Sequence, residues 1–204
     1  MRIALIDYRA GNLTSVKKAF AAIGADLFVP LQPGELADAG AVVVPGVGHF
    51  GATETLAVDW TDTIRRGIDA GRPLLGICLG MQWLYEGSAE APGLKGLGLL
   101  SGQCYRLPGS SGATSVKIPH VGWNALDIQR PDSIVEGVAS GSQVYFTHSF
   151  VAPITDETVA VTVHGQPFAA VVQRGRVAAV QFHPEKSGEV GLTILRNFLR
   201  LAES

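Results

Sequence analysis

The sequence predicts an α/β protein with an open, mostly parallel central sheet flanked by helices and with additional antiparallel strands in its C-terminal half. Three observations lead there. Up to Gly87, short apolar runs alternate with stretches whose apolar residues recur at helical spacing, which is the order of parallel strands joined by crossover helices. Beyond Gly87, strand-like runs follow one another almost without helical spacing. The 204 residues also carry 25 glycines, well above the average of about 7%, with no regular period.

Ile3 to Ile6 is the first apolar run, followed by Leu13, Val16, Phe20 and Ile23 at helical spacing. Gly24 stops that helix, and Asp26 to Val29 forms a second strand before Pro30. Ala41 to Val44 is a third strand, closed by Pro45, and Asp59 to Ala70 a helix with Trp60, Ile64 and Ile68 on one face. Pro73 to Ile77 is the fourth strand, and Met81 to Glu86 opens another helix. The later strands are Gly102 to Leu107, Ala125 to Ile128, Val144 to Thr147, Val159 to His164, Ala169 to Gln173 and Val177 to Phe182. Arg174-Gly175 turns between the last two. Pro108 to Ser115, rich in Gly and Ser, is expected as an exposed loop. A final helix spans about Glu189 to Ala202. One domain over residues 1–204 is expected.

The formal charge of -2 argues against nucleic acid, which calls for a basic surface. No run approaches the roughly 18 apolar residues of a membrane span, so no membrane partner is expected. The start, Met1 to Asp7, is too short and too interrupted for a signal-peptide core. A cytoplasmic location is expected, with Cys78 and Cys104 reduced rather than paired.

Three motifs carry chemistry. Gly76-Ile77-Cys78-Leu79-Gly80 lies where a strand hands over to a helix, the pattern of a nucleophile elbow with cysteine as nucleophile. A strained turn that pushes its central side chain outward leaves no room for flanking Cβ atoms, and a helix start at about Gly80 favours a thiolate. The alternative is a buried cysteine in a glycine-rich loop, which is how Cys104 reads on its strand. His183-Pro184-Glu185 ends the Val177 strand. Residues i and i+2 of a strand share a face, so the carboxylate can orient the imidazole, completing a thiol nucleophile, its base and the base's orienter. The other histidines, His49, His120, His148 and His164, lack a carboxylate two residues away and read as satisfied polar residues. No His or Cys spacing supports a metal, and no cofactor is expected. Pro45-Gly46-Val47-Gly48-His49-Phe50-Gly51 follows the third strand. Its side-chain-poor backbone suits an oxyanion site and lacks the lysine of a phosphate loop.

Together with Asp7-Tyr8, Gly11-Asn12, Pro119-His120-Val121-Gly122-Trp123-Asn124, Tyr145 to Phe150 and Glu185-Lys186-Ser187, these motifs resemble the class I, triad-type glutamine amidotransferases. More narrowly they resemble the glutaminase subunits of imidazole glycerol phosphate synthase, of histidine biosynthesis. The resemblance runs from the first strand to the last helix. Arg9 stands where a small residue is usual and Phe150 where tyrosine is common.

The resemblance implies Cys78 as nucleophile toward the side-chain amide of L-glutamine, His183 as proton relay and Glu185 as its orienter. It implies oxyanion donors from the Leu79 N–H and the Gly46-Val47-Gly48 backbone, and substrate contacts from Gln82, Ser149 and Phe150. Asn12, Trp123, Asn124, Tyr145 and Lys186 match positions that face a (β/α)8-barrel cyclase, the partner that receives the ammonia in a heterodimer. The Gly46–Gly48 loop is expected to rest with a peptide turned away from the oxyanion until that partner shifts it. The rival readings are another triad amidotransferase, a stand-alone cysteine hydrolase and a non-catalytic interaction subunit.

Overall fold

The computed structural model describes residues 1–11, 13–56, 58–111 and 114–203; Asn12 lies outside them. The strands in chain order are β1 Arg2–Leu5, β2 Asp26–Phe28, β3 Ala41–Val44, β4 Leu74–Ile77, β5 Gly87–Ser88, β6 Gln103–Arg106, β7 Ser110–Ser111 and β8 Thr114–Ser115. They continue with β9 His120–Ala125, β10 Asp127–Ile128, β11 Gln143–His148, β12 Phe150–Val151, β13 Thr158–His164, β14 Gln166–Arg174 and β15 Val177–Val180. The helices are α1 Leu13–Ala22, α2 Val58–Asp69, α3 Leu79–Trp83 and α4 Gly188–Glu203.

Eight strands make the main sheet, in the order β10-β13-β14-β15-β4-β3-β1-β2. From β15 to β2 every pairing is parallel. From β15 outward to β10 every pairing is antiparallel. The parallel strands are short runs of Val, Leu, Ile and Ala because both of their faces are covered. Ile3 and Leu5 of β1 pack with Phe20 of α1 and Ile194, Leu195 and Phe198 of α4 on one face. Ala4 of β1 and Val42 and Val44 of β3 pack with Ile64 of α2 and Met81 of α3 on the other. Trp60 and Ile68 join Ile64 as the spacing predicts.

Both crossover helices stop where a glycine takes a left-handed conformation. After α1, Gly24 has φ +75°, its N–H reaches the Ala21 carbonyl, and Ala25 N–H reaches Phe20. After α2, Gly71 and Arg72 make the same pair of bonds to Ile68 and Gly67. Each is a Schellman closure.

Several boundaries differ from expectation. The strand expected at Ala125 to Ile128 is two strands, β9 beginning five residues earlier and the short β10 after Leu126. Glycine and tryptophan at positions 122 and 123 hide the alternation of β9, which pairs along its whole length with β11. Pro108 to Ser115 is not plain loop, because β7 pairs with β8. The helix expected to open at Met81 begins at Leu79 and lasts a single turn.

Strands β3, β4 and β15 are parallel neighbours, so their carboxyl ends lie along one edge. The three chemical motifs leave the sheet there: the Pro45–Gly51 loop from β3, Cys78 from β4, and Gln181 to Glu185 from β15.

Candidate active site

Cys78 stands alone between β4 and α3 with φ +52° and ψ -104°, a conformation most non-glycine residues avoid. Packing holds it there. A Cβ on Gly80 would fall 1.8 Å from the Val44 carbonyl oxygen, and one on Gly76 would fall 2.9 Å from the Gly80 backbone. The Cys78 N–H is tied to the Val180 carbonyl at 2.8 Å. The glycines therefore let β3, β4 and α3 close around the turn, and the closed turn fixes the thiol.

His183 and Glu185 meet as the sequence predicts, with Nδ1 donating to Oε1 at 2.7 Å, but not by strand alternation. β15 ends at Val180, and Pro184–Lys186 is a 3-10 turn that His183 caps. A tight turn, not a pleat, brings i and i+2 together. The turn is fastened to β11 through Tyr145, whose carbonyl accepts from His183 N–H at 2.9 Å. Tyr145 N–H donates to Ser187 Oγ at 2.9 Å, and Ser187 Oγ donates to the His183 carbonyl at 2.6 Å.

The side chains of His183 and Glu185 are 2% and 4% exposed. Burial lowers the imidazole pKa, but the charge and proximity of Cys78 and the hydrogen bond and charge of Glu185 outweigh it and raise it to about 10. His183 Nε2 has no hydrogen-bond partner, so it is the ring nitrogen left free for proton transfer. Cys104 is the contrasting thiol. It is fully buried, and desolvation together with Glu90 pushes its pKa up, which leaves it unreactive.

A pocket of about 320 Å³ opens beside Cys78 and is lined by Val47, Gly48, Leu79, Gln82, Glu90, Thr147, His148, Ser149 and Phe150 among others. That is the low end of the range for small-molecule sites. Gly46 sits so close to Tyr8 that a Cβ would fall 1.9 Å from the phenol oxygen. Gly48 has φ +107° and open space around it. The Gly46 carbonyl accepts from Leu79 N–H at 3.2 Å, so in this conformation the expected donor is already engaged.

Gln82 is buried, and its Nε2 donates to the Phe150 carbonyl at 2.9 Å and to Gln181 Oε1 at 3.2 Å. Both amide protons are thereby used, which leaves Oε1 to face a ligand. The Phe150 carbonyl also accepts from His148 Nδ1, and the Ser149 carbonyl accepts from Leu107 N–H. Glu90 also lines the pocket, and nothing in the sequence marks it. It comes after α3 with no motif around it, and its Oε2 accepts from Phe50 N–H at 2.7 Å.

Of the residues matched to a partner face, Trp123, Tyr145 and Lys186 are brought together. Trp123 is 57% exposed, its ring is edge-on to Tyr145 at 6.1 Å, and the Lys186 ammonium lies 5.5 Å from the Tyr145 ring centre. Asn124 turns its polar atoms inward, to the Val163 carbonyl, His120 and Ala125 N–H. Among the described residues no helix is long and apolar enough to cross a membrane.

The class-I glutamine amidotransferase family matches residues 4–202. The imidazole glycerol phosphate synthase subunit HisH of Methanothermobacter thermautotrophicus is 44% identical over 200 residues, covering 98% of each chain. That of Aquifex aeolicus is 44% identical over 208 residues, covering 100% of this chain and 98% of the relative. Among solved structures, one titled as a glutamine amidotransferase aligns with a TM-score of 0.75 at 22% identity, over 98% of this chain and 99% of that one. PurLQS from Thermotoga maritima aligns with a TM-score of 0.73 at 20% identity, over 98% and 97%. The structural likenesses show the shared fold, and the sequence identities show the rest: the chain belongs to the class-I glutamine amidotransferases and, within them, to the HisH subunits of imidazole glycerol phosphate synthase.

Proposed function

We propose that this chain is the glutaminase subunit that releases ammonia from L-glutamine and passes it to a (β/α)8-barrel cyclase for imidazole glycerol phosphate formation. The observation that carries the reading is the His183–Glu185 pair at the same sheet edge as Cys78, whose charge acts on the His183 imidazole, beside the pocket.

The Cys78 thiolate attacks the carboxamide carbon of glutamine, and the carbonyl oxygen becomes an oxyanion. The C–N bond then breaks, the leaving nitrogen takes the proton from His183 Nε2, and a γ-glutamyl thioester remains. His183, now neutral, takes a proton from water as the water attacks the thioester. The sulfur leaves as thiolate, the new carboxylic acid loses its proton to solvent, glutamate departs and the starting thiolate–imidazolium pair is restored. Glu185 keeps Nδ1 protonated and the ring in place throughout. The carbonyl of Phe150 already accepts two hydrogen bonds. The α-ammonium of glutamine therefore falls to the Glu90 carboxylate and Gln82 Oε1, and the α-carboxylate to the backbone N–H groups of the Ser149–Phe150 segment.

The engaged Leu79 N–H supports a resting state. Turning the Gly46–Val47 peptide would release it and add the Val47 N–H as a second oxyanion donor. Gly46 and Gly48 make such a turn inexpensive. Free ammonia at neutral pH is mostly ammonium and a poor nucleophile, so direct transfer to a partner at the Trp123–Tyr145–Lys186 face fits both the chemistry and this control. A coupling of about 3 kcal/mol would correspond to roughly 150-fold activation.

The test is glutamate release with and without the cyclase and its acceptor ligand, in wild type and Cys78→Ala. Strong stimulation of wild type and a silent alanine variant are expected. Equal rates for the isolated and acceptor-saturated wild type would refute the resting state, and activity in Cys78→Ala would refute the nucleophile.

A further inference from the structure

Gln181 follows β15 directly and is fully buried, which is uncommon for glutamine. A buried amide is retained at a net cost unless its hydrogen bonds are made. Its backbone N–H donates to the Ala170 carbonyl at 2.9 Å, so the residue is anchored to β14. Its side chain points at the site: Nε2 lies 3.5 Å from Cys78 Sγ, and Oε1 accepts from Gln82 Nε2 at 3.2 Å.

The two ends of an amide look alike in shape, and the hydrogen-bond network fixes the direction of this bond. The chain of bonds ends on the Phe150 carbonyl, which can only accept. The Gln82 group 2.9 Å from it must therefore be the NH2. The second proton of that NH2 points to Gln181, so the Gln181 atom facing Gln82 must be the carbonyl oxygen. The Gln181 NH2 is then left facing sulfur. A backbone carbonyl in the pocket wall thus sets the polarity of the whole relay, and the end of the relay is a proton donor aimed at the reacting atom.

We infer that Gln181 is a further catalytic residue of the glutaminase site, a neutral donor that holds and stabilises the Cys78 thiolate in addition to its acid–base partner. The inference rests on Cys78 being the nucleophile. His183 must give its proton to the leaving nitrogen and take another from water, so its charge alternates through the cycle. Gln181 keeps its protons through every step. It therefore donates to the sulfur before attack and again when sulfur leaves as thiolate during hydrolysis of the thioester. Gln82, held by Phe150, serves as the positioning residue for that donor. The same relay ties the Phe150 segment, which faces substrate, to the sulfur that attacks it.

Two measurements decide this. In the wild-type chain, the side-chain NH2 resonances of Gln181 are followed by NMR as Cys78 is alkylated with iodoacetamide. Loss of the donated bond shifts at least one of them, and unmoved resonances would overturn the inference without any need for a variant. In Gln181→Met, which keeps the length and removes the donor, alkylation of Cys78 at neutral pH slows about tenfold, the scale of one hydrogen bond to a charged group. The rate profile also moves to higher pH, which a purely structural role would not produce. An alkylation profile that coincides with wild type, while Cys78→Ala abolishes glutamate release, would overturn the role of Gln181 alone. Glutamate release that survives Cys78→Ala would instead overturn the nucleophile on which the inference rests.

Discussion

At the residue scale, the site is made by close approach rather than by reactive groups alone. Gly80 is the sharpest case, because its missing Cβ is the space occupied by the Val44 carbonyl. Gly80→Ala must drive α3 away from β3, so a loss of about 3 kcal/mol is expected from overpacking. Gly24→Ala, at φ +75° with nothing within 4 Å, meets only backbone strain and should cost about 1 kcal/mol. Urea unfolding of the two variants measures the difference, and equal losses would show that the approach to Val44 is not what requires glycine at position 80. The elbow was legible in the sequence for this reason, since two glycines around a cysteine leave a strong local mark. Gln181 and Glu90 were not. A single polar residue after an apolar strand or past a short helix has no local signature, and its role exists only once Gln82, Phe150 and Phe50 are packed beside it.

At the element scale, the β9–β11 ribbon brings the end of β11 to the pocket wall and carries its own polar interior. The Phe150 carbonyl can only accept, so His148 donates from Nδ1 and its Nε2 accepts from His120 Nδ1 at 3.1 Å. His120 is in turn stacked between Phe146 and His164. Burial, followed by the neighbouring histidines, lowers the pKa of His148 to about 3 and of His120 to about 4. Both are neutral in the folded chain at pH values where the unfolded chain, near 6.5, already takes up protons. Stability linked to them is therefore complete above about pH 6.5 and is lost as pH falls toward 4. Unfolding free energies at pH 7, 6 and 5 should drop more steeply for wild type than for His148→Gln, and parallel lines would contradict the account. The sequence pattern starts β9 five residues late because glycine and tryptophan break its alternation. The His183–Glu185 contact was expected from strand alternation, yet it arises from a turn fastened by Ser187 and Tyr145. Spacing of two suits either geometry, so spacing could give the contact without giving its cause.

At the scale of the whole molecule, the order of the sheet explains why distant motifs share one site. The parallel pairings of β3, β4 and β15 align their carboxyl ends, where sites of open α/β sheets form. Outside the antiparallel extension from β15 to β10, the end of β11 and the Phe150 segment wall the pocket, and β9 carries the exposed Trp123. This organisation was legible as alternating elements followed by strands, whereas the path from Asn124 inward to His120 was not, because it depends on which side of β9 each residue takes. All of this chemistry turns on the proposal that Cys78 is the thiol that forms a covalent γ-glutamyl intermediate. Mass spectrometry of the chain after treatment with an electrophilic glutamine analogue, in complex with the acceptor-loaded cyclase, tests it most directly. One adduct is expected, mapped to the peptide containing Cys78 and absent from Cys78→Ala; an adduct on Cys104, or none on Cys78, would contradict that role.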